Sequence, residues 1–174
     1  GVRRARPDRG VFAYQGDGDL ASIGLAEAVH AANRGERVSV FFINNTLYGM
    51  TGGQMAPTTL LGQKTATSPR GRVLAGEGGP LHMTEIMAQL AGVGYAARCA
   101  LDSVAHIRAA GRAVRAAFEV QLRDLGFGFV ELLCGCPTNW RMDPVAANRH
   151  ICEAMIPVFP LGVFKDVRDS QGAA

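Results

Sequence analysis

The chain has 174 residues, of which 48% are hydrophobic, and a formal net charge of +3. This is enough apolar material for one domain with its own core. With only three tyrosines and one tryptophan among scattered arginines, a nucleic-acid-binding surface is not expected. No apolar run approaches the roughly 18 residues of a membrane span. Four cysteines are too few for a secreted disulfide framework, which favours a cytoplasmic protein.

The two ends of the chain determine the expected domain organisation. Residues 1–174 are interpreted as a single domain that lacks its N-terminal part, because no initiator methionine precedes Gly1. The opening residues, GVRRARPDRG, are basic but have no apolar core after them, so they do not match a secretory signal. Residues 157–174 are interpreted as a C-terminal tail.

The first elements form a predicted βαβ unit. Residues 11–15 are an apolar run typical of a buried strand. Residues 20–33 repeat apolar side chains with a helical period, and Gly35 stands at the expected stop. Residues 38–43 (VSVFFI) are typical of a parallel strand buried on both faces. We therefore expect the two strands to be neighbours in a parallel sheet.

The region after this unit has no sustained period. Residues 44–79 are rich in Gly, Thr, Pro and Gln, and such a long irregular stretch is usually functional or disordered. Helices and strands then alternate: a helix at 83–90, a strand at 95–100, a long helix at 103–124 capped by Asp102 or Ser103, a strand at 127–133 and a helix at 143–155. This alternation predicts an α/β fold with a mainly parallel sheet flanked by helices.

Polar turns follow both strands of the βαβ unit. GDGD occupies residues 16–19 and NNTLYG occupies residues 44–49. Ligands of an open α/β sheet bind beyond the carboxyl ends of the strands, so we expect the two turns to lie side by side. Their carboxylate, amide and carbonyl oxygens suit Mg²⁺, which prefers a few protein oxygens together with phosphate oxygens. The sequence thus indicates a metal between Asp17 and a diphosphate, with Gly16 and Gly18 allowing backbone N–H groups to approach.

Other phosphate-binding motifs fit the chain poorly. A dinucleotide-binding turn requires a further glycine where Ala21 stands, and an acidic residue where the second strand ends in Asn44 and Asn45. The Gly-Lys-Ser/Thr of a Walker loop is absent. Because Asp-Gly pairs also mark ordinary turns, GDGD by itself leaves an ordinary turn open as an alternative.

Several motifs together resemble a known family. GDG, followed after the crossover by an NN pair, is similar to the diphosphate motif of thiamine-diphosphate enzymes. The segments YQGDGDLASIGLAEAVHAANRGE, INNTLYGMTGGQMAPTTLLGQKT, CPTNW and FPLGVFKD resemble, in this order, the β subunits of 2-oxoacid:ferredoxin oxidoreductases. The resemblance is greatest to the 2-oxoisovalerate (branched-chain) type, and YGMTGGQ with APTT is its most specific part.

The resemblance implies a thiamine-diphosphate-binding fold and a metal-binding set within it. The expected Mg²⁺ ligands are Asp17, the side-chain oxygen of Asn45 and the backbone carbonyl of Leu47. Gly16, Gly18 and Asp19 would hold the diphosphate. For Asp19, the cap of the following helix is an open alternative.

The resemblance also implies which residues lie near the thiazolium ring of the cofactor. They are Tyr48, Gly49, Met50 and Thr51, with simple packing as the alternative for Met50. No catalytic acid or base is assigned, because in this family the activating glutamate belongs to the other subunit. Some relatives carry lysine where this chain has Gly52, and the loss of that charge favours an apolar 2-oxoacid over 2-oxoglutarate.

One cysteine matches a position that binds an iron–sulfur cluster in the family. A [4Fe–4S] cluster requires four thiolates, and the resemblance assigns one of them to Cys136 and the other three to an N-terminal segment outside this chain. Cys134 is interpreted as a bystander, and Cys99 and Cys152 as buried small hydrophobic residues. A zinc site formed by Cys134, Cys136 and Cys152 is a weaker alternative.

The activity implied by the resemblance is the CoA-dependent oxidative decarboxylation of a 2-oxoacid, with electrons passing through iron–sulfur clusters to ferredoxin. Such an enzyme is a hetero-oligomer in which the β subunit joins an α subunit and, in some members, γ and δ subunits. Pyruvate and 2-oxoglutarate stay open as substrates. A non-oxidative thiamine enzyme and a folded interaction fragment without turnover are the alternative functions.

Overall fold

The computed structural model describes residues 1–168. Its strands are β1 (Phe12–Gly16), β2 (Ser39–Asn44), β3 (Leu47–Tyr48), β4 (Gln54–Met55), β5 (Val93–Ala100), β6 (Phe127–Leu133) and β7 (Gly162–Asp166). Its helices are α1 (Val2–Ala5), α2 (Leu25–Asn33), α3 (Leu74–Glu77), α4 (Met83–Gln89), α5 (Val104–Leu122), α6 (Pro137–Trp140), α7 (Pro144–His150) and α8 (Ile156–Val158). None of the helices in this described part is long and apolar enough to cross a membrane.

Five of the strands form one sheet in the order β1-β2-β6-β5-β7. The strands β1, β2, β6 and β5 run parallel, and β7 runs antiparallel to β5. A small second sheet is formed by β3 and β4 within the irregular region. The predicted α/β fold with a mainly parallel sheet is therefore confirmed.

Helices cover both faces of the main sheet. Adjacent side chains of β2 point to opposite faces, because side chains alternate along a strand. Phe41 is buried in a cluster with Ala113 and Ala117 of α5, whereas Phe42 packs with Phe129 on the face covered by α2 and α4. The uninterrupted run VSVFFI reflects burial on both sides, as predicted.

The contact between β6 and α5 is close at Gly128. A Cβ at this position would lie 2.8 Å from the Ala117 carbonyl oxygen. We expect Gly128→Ala to lower the free energy of unfolding by about 1–3 kcal/mol, because the helix backbone must move away. Gly111, on the exposed side of α5, has open space around the same position, so Gly111→Ala should raise stability by about 1 kcal/mol. Urea titrations of both variants check the opposite signs, and equal effects would contradict the packing argument.

The structure corrects the prediction of a buried strand at residues 11–15. β1 lies at the edge of the sheet, and Phe12 and Tyr14 are 59% and 69% exposed. A short apolar run does not reveal whether a strand has one neighbour or two, because that depends on the strand order of the whole sheet.

Two predicted helices are interrupted. The helix expected at 20–33 is a π-helical segment, Asp19–Ile23, followed by α2. Between them, the Gly24 N–H donates to the Asp19 carbonyl oxygen at 2.6 Å. The hydrogen bond joins residue i to residue i+5, which is the pattern of a π-helix. The helix expected at 143–155 likewise changes after α7 to a π-helical segment, Ile151–Met155. Periodicity over short windows does not distinguish these two helix types.

The C-terminal part of the chain contains a strand that the sequence analysis did not identify. Residues 157–174 were expected to be a tail, yet β7 lies within them and adds a strand to the sheet beside β5. Residues 169–174 lie outside the described part. The division of the chain into a domain and a tail stays a prediction.

The N-terminal end of α5 is as predicted, because the Ser103 side chain accepts a hydrogen bond from the His106 N–H.

Candidate functional site

The turns after β1 and β2 lie side by side at the carboxyl edge of the sheet. The two strands are parallel neighbours, with Gly16 opposite Ile43. Asp17 Oδ1 accepts a hydrogen bond from the Asn45 N–H at 3.2 Å, and its Oδ2 accepts one from the Thr46 N–H at 3.0 Å. The two turns are therefore in contact, as expected, while the roles of their residues stay predictions.

Asp17 is a buried carboxylate at the centre of this site. Only 2% of the residue is exposed, and burial raises its pKa to about 7. Hydrogen bonds from Thr58 Oγ1 and from backbone amides oppose this effect. Within residues 1–168 no arginine, lysine or histidine pairs with Asp17. A cation bound here would supply the opposite charge that the surrounding protein does not.

Asn45 and Leu47 bring further polar atoms to Asp17. One terminal atom of the Asn45 side chain lies 2.6 Å from the Leu47 carbonyl oxygen and 3.0 Å from Asp17 Oδ1. Hydrogen bonds to these two oxygens form only if this atom is the amide nitrogen. If it is the oxygen, it accepts a hydrogen bond from the Leu47 N–H at 3.3 Å, and three oxygens face one another. Neighbouring ligands of an octahedral Mg²⁺ ion are about 3 Å apart, because each lies about 2.1 Å from the metal. The two separations around the Asn45 side chain are thus close to the spacing of neighbouring magnesium ligands.

Thr46 is the turn residue that separates Asn45 from Leu47. Its φ of 65° is rare for a β-branched residue, and such strain costs roughly 1–3 kcal/mol. The Thr46 N–H donates to Asp17 Oδ2 and Asn44 Oδ1, and its carbonyl oxygen accepts a hydrogen bond from Thr59 Oγ1. The Thr46 hydroxyl donates to the Asn45 carbonyl oxygen at 2.6 Å and accepts from Gln63 Nε2 at 2.8 Å. Strain held by the surrounding contacts is typical of a functional turn.

The GDGD turn packs against Tyr48. A Cβ on Gly18 would clash with the Tyr48 ring, so only glycine fits here without displacing that ring. Asp19 Oδ2 accepts a hydrogen bond from the Gly16 N–H at 3.1 Å. The alternative interpretation of Asp19 as a helix cap is wrong, because Gly18 holds the cap position and Asp19 is the first residue of the π-helical segment. The carboxylate of Asp19 thus contacts the turn instead of the helix.

The loop between β3 and β4 presents Met50 to the outside. Met50 is 102% exposed, so the alternative of simple packing is wrong within the described chain. Thr51 donates its hydroxyl to Gln54 Oε1 at 2.7 Å. Gly52 has a φ of 115°, a conformation that side chains rarely adopt. A Gly52→Lys exchange would therefore change the backbone as well as the charge of this loop.

Cys136 lies beside the same loop. Its Sγ accepts a hydrogen bond from Asn139 Nδ2 at 3.2 Å, and Asn139 also donates to the Gly49 carbonyl oxygen at 2.8 Å. Burial raises the pKa of Cys134 to about 12, which disfavours its thiolate form. The predicted burial of Cys152 is wrong, because this residue is exposed, whereas Cys99 is buried as expected.

The zinc alternative is not supported by the arrangement of the cysteines. Throughout residues 1–168, no group of three or more His, Cys, Asp or Glu side chains is placed to hold a metal ion. The set of Cys134, Cys136 and Cys152 is therefore not brought together. The oxygen set around Asp17 contains a single carboxylate and is a different kind of site.

Two contacts of the site were missed by the sequence analysis. The Thr58 hydroxyl donates to Asp17 Oδ2, and Trp140 Nε1 donates to the Asn45 carbonyl oxygen at 3.2 Å. Both residues lie in segments already noted as motifs, APTT and CPTNW. The motifs mark the segments, but only the folded chain shows which atoms they contact.

Residues 1–123 match the family model described as thiamine pyrophosphate enzyme, C-terminal TPP binding domain. Thiamine pyrophosphate (TPP) and thiamine diphosphate are the same compound. The chain is 51% identical over 166 residues to ketoisovalerate oxidoreductase subunit VorA from Methanothermobacter thermautotrophicus, covering 95% of this chain and 35% of that protein. It is 39% identical over 153 residues to 2-oxoglutarate synthase subunit KorB from Archaeoglobus fulgidus, covering 88% of this chain and 53% of that protein.

A solved structure shares the fold. It is the 2-oxoglutarate:ferredoxin oxidoreductase from Magnetococcus marinus with 2-oxoglutarate, coenzyme A and succinyl-CoA bound, with a TM-score of 0.66, 22% identity and coverage of 100% of this chain and 66% of that chain. The present chain spans about a third to a half of the length of the curated relatives. The family match includes both polar turns and most of the chain. The chain therefore belongs to the thiamine pyrophosphate enzymes, through their C-terminal cofactor-binding domain, and is similar to the β-type subunits of 2-oxoacid oxidoreductases.

Proposed function

We propose that this chain binds thiamine diphosphate through Mg²⁺ as part of the β subunit of a 2-oxoacid:ferredoxin oxidoreductase. The observation that carries the proposal is the convergence of Asp17, Asn45 and the Leu47 carbonyl at the carboxyl edge of the sheet. Membership of the thiamine pyrophosphate enzymes supports the choice of cofactor. The buried carboxylate of Asp17, which lacks a cationic partner within the described chain, supports the choice of a divalent metal.

The proposed roles follow the order of the residues along the two turns. Asp17, Asn45 and Leu47 hold Mg²⁺, and Gly16, Gly18 and Asp19 lie along the diphosphate. Tyr48, Gly49, Met50 and Thr51 lie towards the thiazolium end, where a substrate approaches. When bound, thiamine diphosphate supplies the electron sink for decarboxylation. The residues of this chain bind the cofactor, orient it and exclude water from the buried carboxylate.

The proposed substrate is a branched-chain 2-oxoacid of the 2-oxoisovalerate type. The higher identity to ketoisovalerate oxidoreductase subunit VorA, 51% against 39% for KorB, supports this choice. The absence of a side chain at Gly52 is consistent with it, since glycine itself carries no cation to attract a second carboxylate. Pyruvate and 2-oxoglutarate are the alternatives, and turnover of the assembled enzyme with each 2-oxoacid distinguishes them.

The proposed enzyme requires further polypeptides. An α subunit would supply the activating glutamate, and γ and δ subunits would complete some assemblies. Cys136 would be one ligand of a [4Fe–4S] cluster, with its other ligands outside the described residues. Its position beside Gly49 would place the cluster close to the cofactor loop. Electrons would then pass to ferredoxin, and the acyl group to CoA. The four unpaired cysteines are consistent with a reducing, cytoplasmic location.

A thermal-shift titration with thiamine diphosphate, with and without Mg²⁺, tests the proposal. A ligand that binds only the folded chain at a hundred times its Kd adds about 2.7 kcal/mol of stability. We expect stabilisation only when Mg²⁺ and the diphosphate form are both present. Thiamine without its diphosphate is the matched control. The absence of any shift in the full hetero-oligomer as well as in this chain would overturn the proposal, whereas a shift without turnover would indicate an interaction fragment.

A further inference from the structure

A buried polar cluster lies next to the turn that follows β2. It joins Arg98 of β5, Glu131 of β6 and Asn44 at the end of β2, which are 1%, 0% and 0% exposed. Glu131 Oε2 accepts a hydrogen bond from Arg98 Nε at 2.8 Å, and its Oε1 accepts one from Asn44 Nδ2 at 2.7 Å. A buried ion pair contributes little net stability, so its presence here suggests a role in specifying a geometry.

Further hydrogen bonds, from α4 and from the segment before β7, fix the side chains of this cluster. Thr84 of α4 donates its hydroxyl to Glu131 Oε2. Arg98 also donates to Glu85 of α4 and, at 3.1 Å, to the Pro160 carbonyl oxygen. Since these contacts restrict Glu131, its Oε1 is a fixed acceptor directed at Asn44.

Asn44 transmits this restriction to the turn. Its Nδ2 is bonded to Glu131, so its Oδ1 faces the opposite way and accepts a hydrogen bond from the Thr46 N–H at 3.1 Å. A carboxylate can only accept, and it thereby determines which end of the Asn44 amide faces Thr46. The reversed amide would place its NH₂ group against the Thr46 N–H. That same N–H also bonds to Asp17 Oδ2.

We propose that Glu131, acting through Asn44, is a positioning residue for the metal-binding turn. It holds Thr46 in its positive-φ conformation, which keeps the Asn45 side chain and the Leu47 carbonyl together beside Asp17. Neither Glu131 nor Asn44 is expected to contact the metal or the cofactor. The inference rests on the proposed function and extends it to residues on three strands and α4.

Two test variants and two control variants separate positioning from general stability. Asn44→Ala breaks the link and leaves the ion pair intact. Glu131→Gln weakens the hydrogen bond between residue 131 and Asn44, but it also removes one of the two carboxylates that neutralise the buried charge of Arg98. If this variant fails to fold, Asn44→Ala is sufficient for the test. Glu85→Gln is the matched control, because it removes the other carboxylate on Arg98 without contact to Asn44. Gly128→Ala is a second control that lowers stability away from the site.

The first readout is amide hydrogen exchange at Thr46 and Leu47 without cofactor. We expect exchange at least about tenfold faster in Asn44→Ala, measured relative to core amides, and an unchanged ratio in both controls. The second readout is the Kd for Mg²⁺ at saturating thiamine diphosphate, which should weaken about 10- to 100-fold in Asn44→Ala and Glu131→Gln alone.

Wild-type exchange at Thr46 and Leu47 in Asn44→Ala would overturn the inference. Equal weakening of Mg²⁺ binding in Glu85→Gln and Gly128→Ala would also overturn it, because the effect would then follow stability. If the wild-type protein binds neither Mg²⁺ nor thiamine diphosphate, the proposed function fails. In that case the exchange comparison alone decides whether Glu131 positions the turn.

Discussion

Replacing Asp17 with asparagine is expected to abolish the Mg²⁺-dependent stabilisation of this chain by thiamine diphosphate. The carboxylate is the single charged oxygen ligand in the proposed metal set, and an amide offers the cation no negative charge. Its surroundings also hold donors, from Asn45, Thr46 and Thr58, that only a two-oxygen acceptor can satisfy together. The expected loss is the full ligand contribution, about 2.7 kcal/mol at a hundred times the wild-type Kd.

The free variant should stay folded, so the result can be interpreted. Because burial raises the pKa of Asp17 to about 7, the folded chain already disfavours the charged carboxylate. A neutral amide of the same shape removes that buried charge, which offsets the hydrogen bond that the amide can no longer accept. Asp8→Asn is a suitable control, since Asp8 is an exposed acid that pairs with Arg6. Retention of the Mg²⁺-dependent shift in Asp17→Asn, or its loss in Asp8→Asn, would contradict the assignment of Asp17.

Replacing Arg98 with methionine should cause the largest loss of stability among the changes considered. Its removal leaves Glu131, which is 0% exposed, without a compensating cation. Breaking one side of a buried ion pair costs about 3–5 kcal/mol, a large share of the roughly 5–15 kcal/mol that stabilises a typical domain. Urea unfolding, monitored by circular dichroism, measures the change.

A double variant distinguishes charge burial from lost packing. Arg98→Met with Glu131→Gln leaves no buried charge at this position, and the new amide can still accept from Asn44 and donate to Thr84. We expect the double variant to recover about 1–3 kcal/mol relative to Arg98→Met. Arg168→Met is the control, because Arg168 forms partly exposed ion pairs with Asp166 and Glu119. Since each such pair contributes about 1 kcal/mol or less, this variant should lose clearly less stability than Arg98→Met. Additive losses in the double variant would contradict the argument.

The central strands of the sheet were predictable because they are buried on both faces. β6 coincides with the predicted range 127–133, and β2 is displaced by one residue from the predicted range 38–43. The strand β7 was missed, because GVFKD shows no long apolar run and is mostly exposed. An edge strand is less covered by neighbouring strands and helices, so it contains fewer apolar residues. Its apolar pattern therefore predicts a strand less clearly.

The site was predictable in its turns but not in its supporting contacts. The glycines and oxygen-bearing side chains after β1 and β2 indicated a metal and a diphosphate, because parallel strands end at one edge. The hydrogen bond between Thr58 and Asp17 joins residues 41 positions apart, and that between Asn44 and Glu131 joins residues 87 positions apart. Such pairs depend on strand order and helix packing, which local patterns do not contain.

The sequence by itself predicted the α/β class and the two polar turns, because these depend on residue type and spacing along the chain, and its motifs resembled those of the family to which the chain belongs. Only the tertiary structure decided that Asp17 is buried, that Met50 is exposed, and that Glu131 is linked through Asn44 to Thr46. The physical reason is that burial and hydrogen-bond partners are properties of neighbours in space. In a sheet with the order β1-β2-β6-β5-β7, those neighbours come from distant parts of the chain.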